Sequence, residues 1–477
     1  MEALTIAAIA TPPGAGGIGV IKISGPDAIP IAGTIFRRRY VGSAADTPAA
    51  DSQAPQDNKE FQTHRLYYGH IIDPGSGNIL DEVLMAVMKA PHSYTCEDVV
   101  EIQAHSGTAT MGAILEKILD QGARIAEPGE FTKRAYLNGR IDLTQAEAVI
   151  DIINARTGAA LQAATSQVRG KLNAVIEDIK RSLTDLLVDI EAGIDFPEDV
   201  AEILPTEGVA RNIRQSVSKP IETLIEGYCR RHVYRDGLQL VIIGKPNVGK
   251  SSLMNCLVRK ERAIVNELPG TTRDLVEDGL QIKGIPINIV DTAGLHDTQD
   301  PIEQVGIHKA RHCIQGADLV LFIVDAAGPL TADDHQIYQQ YAGMNMILVL
   351  NKLDLVENDP SLKIQIPEQW NGIPTVSISA LYEKGIDALE AVIVNRAVGD
   401  NGSLAEHAMI PNIRHKQALE ACLDAVGHVL NGLSENQPEE LIAIDVKTAI
   451  AHLDGIVGTE PSADILDQIF SSFCIGK

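Results

Sequence analysis

Leu238-Gln239-Leu240-Val241-Ile242-Ile243-Gly244-Lys245-Pro246-Asn247-Val248-Gly249-Lys250-Ser251-Ser252 is the stretch that decides the fold. Its apolar opening is a strand, and a complete GxxxxGK[ST] loop follows directly. Glycines let such a loop curl around phosphates, so that amide N–H groups and the next helix N-terminus point at negative charge. Lys250 is placed to reach the β- and γ-phosphates, and the Ser251 hydroxyl to bind Mg2+. Asn247, Gly249 and Ser252 complete the candidate phosphate cradle. The pattern alone can arise by chance, so the case rests on what lies downstream.

Asp291-Thr292-Ala293-Gly294 ends an apolar strand, where Asp291 can hold the Mg2+ shell and the Gly294 amide can sense the γ-phosphate. Asn351-Lys352-Leu353-Asp354 ends the next strand but one. The Asp354 carboxylate can accept two hydrogen bonds from the guanine N1–H and amino group, a pattern adenine does not offer. Ser379-Ala380 stands where GTPases back up the base. Between loop and DTAG lies Gly270-Thr271-Thr272-Arg273-Asp274, with Thr272 the expected switch threonine on Mg2+. The ordered set resembles the translation-factor-like GTPases and implies guanine specificity. One departure concerns mechanism. Many GTPases carry a Gln after this glycine to orient the attacking water, and here Leu295 stands there.

Around the loop, the runs 285–290, 319–324, 346–350 and 375–378 are short and almost continuously apolar, as in strands of a mostly parallel sheet covered on both faces. Outside this block the pattern is different. Residues 1–40 alternate apolar and polar, and 41–62 is a Ser/Ala/Asp/Pro-rich insertion expected to be disordered. Thr144 and Glu147 have capping-box spacing. Leu172, Val175, Ile176, Ile179, Leu183, Leu186 and Ile190 form one helical stripe. Helical pattern fades near Gly227 and returns from Asn412 to Phe473, so a helical domain is expected to be split by an inserted one. The expected fold is multidomain α+β. It comprises an N-terminal α+β domain over 1–128, helical segments at 129–231 and 399–477, and an α/β P-loop G domain over 232–398.

The chain has 477 residues, 40 Lys+Arg against 64 Asp+Glu, and a formal net charge of −24. Such acidity repels phosphate backbones and argues against indiscriminate nucleic-acid binding. Its six cysteines are scattered without zinc spacing. No apolar run reaches the ~18 residues of a membrane span, and no signal peptide opens the sequence. The expectation is a soluble cytoplasmic protein with no membrane partner.

Three further segments carry a resemblance. They are Ala10–Gly19 with Lys22-Ile23-Ser24-Gly25, then Tyr94–Glu101 with Pro128–Ala148, and finally Phe470-Ser471-Ser472-Phe473-Cys474-Ile475-Gly476-Lys477. With these residues the whole chain, except 41–62, resembles the MnmE (TrmE) family of tRNA-modification GTPases. The resemblance implies a folate-binding N-terminal domain that forms a homodimer, a split helical domain and an inserted G domain. It implies work with the flavoprotein MnmG (GidA) on the wobble uridine of tRNA, using a one-carbon unit from 5-formyl- or methylene-tetrahydrofolate. Family folate positions fall on Lys22, Glu101, Arg140 and Lys477, with Lys22 and Arg140 replacing the commoner Arg and Lys.

The resemblance also implies activation by K+. Asn247 matches the potassium-ligand asparagine, and Asn266, Leu268 and Thr271 lie in the loop that would close over the ion. The family's catalytic glutamate falls on Glu303, a carboxylate able to orient water where Leu295 cannot. Cys474, by itself an unassigned thiol near the end, matches a cysteine the family needs for tRNA modification. A ribosome-assembly switch is the competing reading, but no second P-loop and no KH-type GxxG in a basic context is present.

Overall fold

The computed structural model describes residues 4–14, 16–39, 61–195, 206–261, 280–291, 317–359, 364–398, 411–459, 461 and 463–477. The chain divides into two compact units, Met1–Ile150 with Val457–Lys477, and Asp151–Ile456.

The first unit is built on β1 (Ile6–Ile9), β2 (Gly19–Ser24), α1 (Ala28–Ile35), β3 (Phe36–Arg38), β4 (Arg65–Ile72), β5 (Ile79–Met88), β6 (Val99–Ala104), α2 (Thr108–Asp120), β7 (Arg124–Ile125), α3 (Glu130–Leu137) and α4 (Leu143–Asn154). Its described strands form one sheet in the order β3-β4-β5-β6-β2-β1-β7, antiparallel except at β1–β7. Side chains alternate across a strand, so the two faces have separate partners. Ala7, Ile21, Ile23, Val100, Ile102, Met85 and Val87 are buried with α1 and α2. The cross-strand row Ala8–Lys22–Glu101–Ala86 lies on the opposite face.

Two expectations shift here. Phe61 packs edge-on to Tyr67 at 5.1 Å, and the Gln62 N–H donates to the Tyr67 hydroxyl, so the last two residues of the 41–62 stretch belong to the fold. Residues 41–60 lie outside the described ones. The cap of α4 is Asp142, not Thr144: Asp142 Oδ1 accepts the Gln145 N–H at 2.9 Å and Gln145 Oε1 accepts the Asp142 N–H at 3.0 Å. Thr144 instead donates its hydroxyl to Asp142 Oδ1. The capping box exists two residues earlier, because Asp is at least as good a cap as Thr.

The second unit continues with α5 (Gly158–Val168), α6 (Lys171–Asp195), α7 (Thr206–Ile213) and α8 (Lys219–Asp236). The predicted stripe on α6 is buried at Leu172, Ile176, Ile179, Leu183, Leu186 and Ile190. Helical structure runs past Gly227 to Asp236, where Gly237 at φ 80° ends it. Next come β8 (Leu238–Ile243), α9 (Lys250–Glu261), β9 (Leu280–Ile282), β10 (Ile285–Asp291), β11 (Leu319–Asp325), α10 (Ala332–Tyr341), β12 (Met346–Asn351), α11 (Leu353–Asn358), β13 (Thr375–Ser377), α12 (Ile386–Val398), α13 (Ile413–Glu435) and α14 (Glu439–Val457). The sheet order is β13-β12-β11-β8-β10-β9, parallel except at the β9–β10 hairpin.

Both faces of this sheet are covered, which is why its strands read as unbroken apolar runs. Leu238, Leu240, Ile242, Leu319, Leu321, Ile323, Ile347 and Val349 enter one core. Their neighbours Val241, Ile243, Val320, Phe322, Val324, Leu348 and Leu350 enter the other, around Trp370.

The chain then returns to the first unit through α15 (Ala463–Ser471). Phe470 and Phe473 pack with Ala146, and the Phe131 N–H donates to the Lys477 carbonyl at 3.1 Å. Gly129, at φ 67°, sits so close to Phe470 that a Cβ there would lie 2.7 Å from the Phe470 carbonyl. No described helix is long and apolar enough to cross a membrane.

Candidate functional site

The phosphate loop leaves the C-terminal end of β8, where a parallel sheet presents its ligands. Asn247 takes the left-handed conformation at φ 63° and leaves its side chain exposed. Gly249, at φ 99°, admits no side chain, because a Cβ would collide with the Asn351 amide. Lys250 opens α9 and donates its ammonium to the Gly244 and Lys245 carbonyls, both at 2.8 Å, which holds the charge across the loop. Ser251 and Ser252 are exposed in the first turn of α9.

The end of β12 and the segment after β13 are tied to that loop. Asn351 Nδ2 donates to the Val248 carbonyl at 2.8 Å, while its Oδ1 accepts the Ala380 N–H at 3.0 Å. One buried amide therefore joins the phosphate loop, β12 and the segment after β13. Asp354 receives the Ser379 hydroxyl on Oδ1. Lys352, at φ 67°, reaches Asp325 Oδ2 at 2.6 Å. Lys245 meets the Thr331 hydroxyl at 2.8 Å and the buried Asp334 carboxylate at 2.7 Å, so α10 also braces the loop.

In the first unit the four positions expected to meet a folate come from four segments. Lys22 on β2 pairs across strands with Glu101 on β6. Arg140 donates to the Tyr94 carbonyl at 2.8 Å and lies 4.8 Å from the Tyr94 ring centre, with Lys22 Nζ 5.9 Å from the same ring. Burial lowers the Lys22 pKa below its usual 10.5, Glu101 acts against that, and the charge of Lys477 adds to it. Cys474 is exposed, and its carbonyl accepts the Gly129 N–H at 3.4 Å. Cys256 and Cys422 are buried, and burial pushes the Cys422 thiol up to about 12.

Comparison with known proteins extends over the whole chain. Residues 143–474 match the model of the MnmE helical domain, and 5–140 that of the GTP-binding protein TrmE N-terminus. The tRNA modification GTPase MnmE of Desulforamulus reducens is 42% identical over 99% of each chain. That of Moorella thermoacetica is 44% identical, again over 99% of each.

The chain belongs to the MnmE family of tRNA modification GTPases.

Like its family, the chain is a GTP hydrolase, and its phosphate loop and NKxD motif stand together as that activity requires. Of the sequence-expected nucleotide residues, Asn247, Gly249, Lys250, Ser251, Ser252, Asn351, Lys352, Asp354, Ser379 and Ala380 gather at one end of the second sheet. The backbone of Asp291 ends β10 beside β8. Thr272, Gly294, Glu303, Asn266, Leu268 and Thr271 lie outside the described residues. Sequence reading gave no role to Lys245, Asp334, Asp325 or Tyr94. Tyr94 stood inside a family motif and so could be found; the other three obey no spacing rule.

Proposed function

We propose that this MnmE-family GTPase acts with a flavin-dependent partner of the MnmG type to place a carboxymethylaminomethyl- or aminomethyl-type group on the wobble uridine of tRNA. The reading takes the domains as 1–128, a helical domain of 129–231 and 399–477, and a G domain inserted at 232–398. It takes the working form as a cytoplasmic homodimer joined through the N-terminal domain.

The observation that carries the proposal is the meeting of Lys22 and Arg140 at the Tyr94 ring, with Glu101 opposite Lys22 in the sheet and the charge of Lys477 acting on Lys22. Three cations, one carboxylate and an aromatic ring suit an acidic ligand that also bears ring N–H donors, as a tetrahydrofolate does. A bound folate would supply the one-carbon unit. Lys22, Arg140 and Lys477 hold its negative charge, and Glu101 accepts its N–H donors. Cys474, exposed on the segment that leads to Lys477, is the thiol the modification needs.

At the nucleotide site, Lys250 and the amides of the loop hold the phosphates, and Ser251, Thr272 and Asp291 hold Mg2+. Asn247 offers an exposed side-chain oxygen to K+, with Asn266, Leu268 and Thr271 completing the cage. Glu303 orients the attacking water, because Leu295 has no polar atom to do so.

Titration of 5-formyltetrahydrofolate into the full chain tests the folate reading. Lys22→Ala or Arg140→Ala should weaken binding by roughly tenfold or more, the size of a lost charge-assisted contact. Undiminished binding by both variants would contradict it.

A further inference from the structure

We propose that Tyr94 is the positioning residue of the cationic site, and that its ring face keeps Lys22 and Arg140 together as one anion-binding pair. The proposal rests on that site taking a folate.

Lys22 stands on β2 and Arg140 follows α3, so no shared backbone element sets their spacing. Like charges brought into a half-buried site repel, and Glu101 is the one carboxylate placed opposite Lys22 in the sheet. Tyr94 supplies what the backbone does not. Its ring lies 4.8 Å from the Arg140 guanidinium carbon and 5.9 Å from the Lys22 ammonium. Both distances fall within reach of the negative face of an aromatic ring.

The ring is itself held at both ends. Its hydroxyl bonds Thr132 Oγ1 at 3.0 Å, and Thr132 is fully buried on α3. Its carbonyl accepts from Arg140, and the next carbonyl, of Thr95, accepts from Asn138 Nδ2 at 2.6 Å. Around it pack Ile6, Ala8, Ala126 and Phe131. A ring so fixed cannot turn away when a ligand enters, so Lys22 and Arg140 meet that ligand already in place. Pre-organised charge of this kind raises affinity by cutting the ordering cost of binding.

The test uses the full chain and 5-formyltetrahydrofolate as probe, with affinity measured by titration. Tyr94→Phe keeps the ring face but loses the Thr132 bond, and should bind more tightly than Tyr94→Leu. Tyr94→Leu should bind roughly tenfold more weakly than the parent, the effect of losing two ring–cation contacts. Phenylalanines of rising ring fluorination, inserted at position 94, keep the shape while draining the negative face. Affinity should fall stepwise along that series, a trend that packing alone would not produce, and the series decides the matter should Tyr94→Leu fail to fold. Flat affinity across the fluorinated series overturns the proposal. If Lys22→Ala also binds as the parent does, the folate reading fails as well; if Lys22→Ala weakens binding, only the role of Tyr94 falls.

Discussion

Asp354 receives the Ser379 hydroxyl on one oxygen, and that bond orients the carboxylate. On the proposed reading the carboxylate accepts the two adjacent donors of guanine, a pair adenine does not offer. Asp354→Asn puts a donor where the carboxylate could only accept. GTP affinity should then fall by about tenfold or more, and xanthosine triphosphate should become the better ligand; competition between the two nucleotides measures it. Undiminished GTP affinity would remove Asp354 from base reading. This residue was legible in the sequence because the chemistry demands one residue type at one spacing. Lys250 and Ser251 were legible for the same reason. Asp334, which braces the loop through Lys245, was not, since a contact between distant residues leaves no periodic trace.

Elements differ in legibility for a related reason. Five of the six described strands of the second sheet could be read almost to the residue because burial on both faces forces continuous apolar runs, while the short hairpin strand β9 was not read. The first sheet has one helix-covered face and one partly polar face, so its order, with β7 beside β1, could not be read from alternation alone. The joint between α8 and β8 shows what elements add. His232, on α8, bonds Asp318 Oδ1 at 3.2 Å, while Asp318 Oδ2 accepts the Gln239 N–H at 2.8 Å. The Asp318 hydrogen bond, with the charge behind it, raises the His232 pKa above 6.5, and partial burial acts against it. A group whose folded pKa is raised stabilises the fold fully below its unfolded value and loses that contribution as pH rises through the folded one. Chemical unfolding of the full chain should therefore show stability lost above 6.5, a slope that Asp318→Asn flattens. The same slope in that variant would show that another group sets it.

At the scale of the molecule, the nucleotide loop belongs to one unit, and the proposed folate site and Cys474 to the other. The sequence offers no obvious arginine finger, so on the proposed reading the charge between the β- and γ-phosphates is met by another cation. Potassium should raise GTP turnover of the full chain and sodium, being too small for the same oxygen cage, should not. Equal turnover in the two salts would mean that Asn247 holds no ion. On the proposed function this GTPase acts at the tRNA wobble position, and mass analysis of wobble uridines decides whether it does. In cells lacking the chain these uridines should lose the carboxymethylaminomethyl- or aminomethyl-type group. The parent chain should restore it and Cys474→Ser should not. Wobble uridines that keep the full modification without the chain would contradict the account.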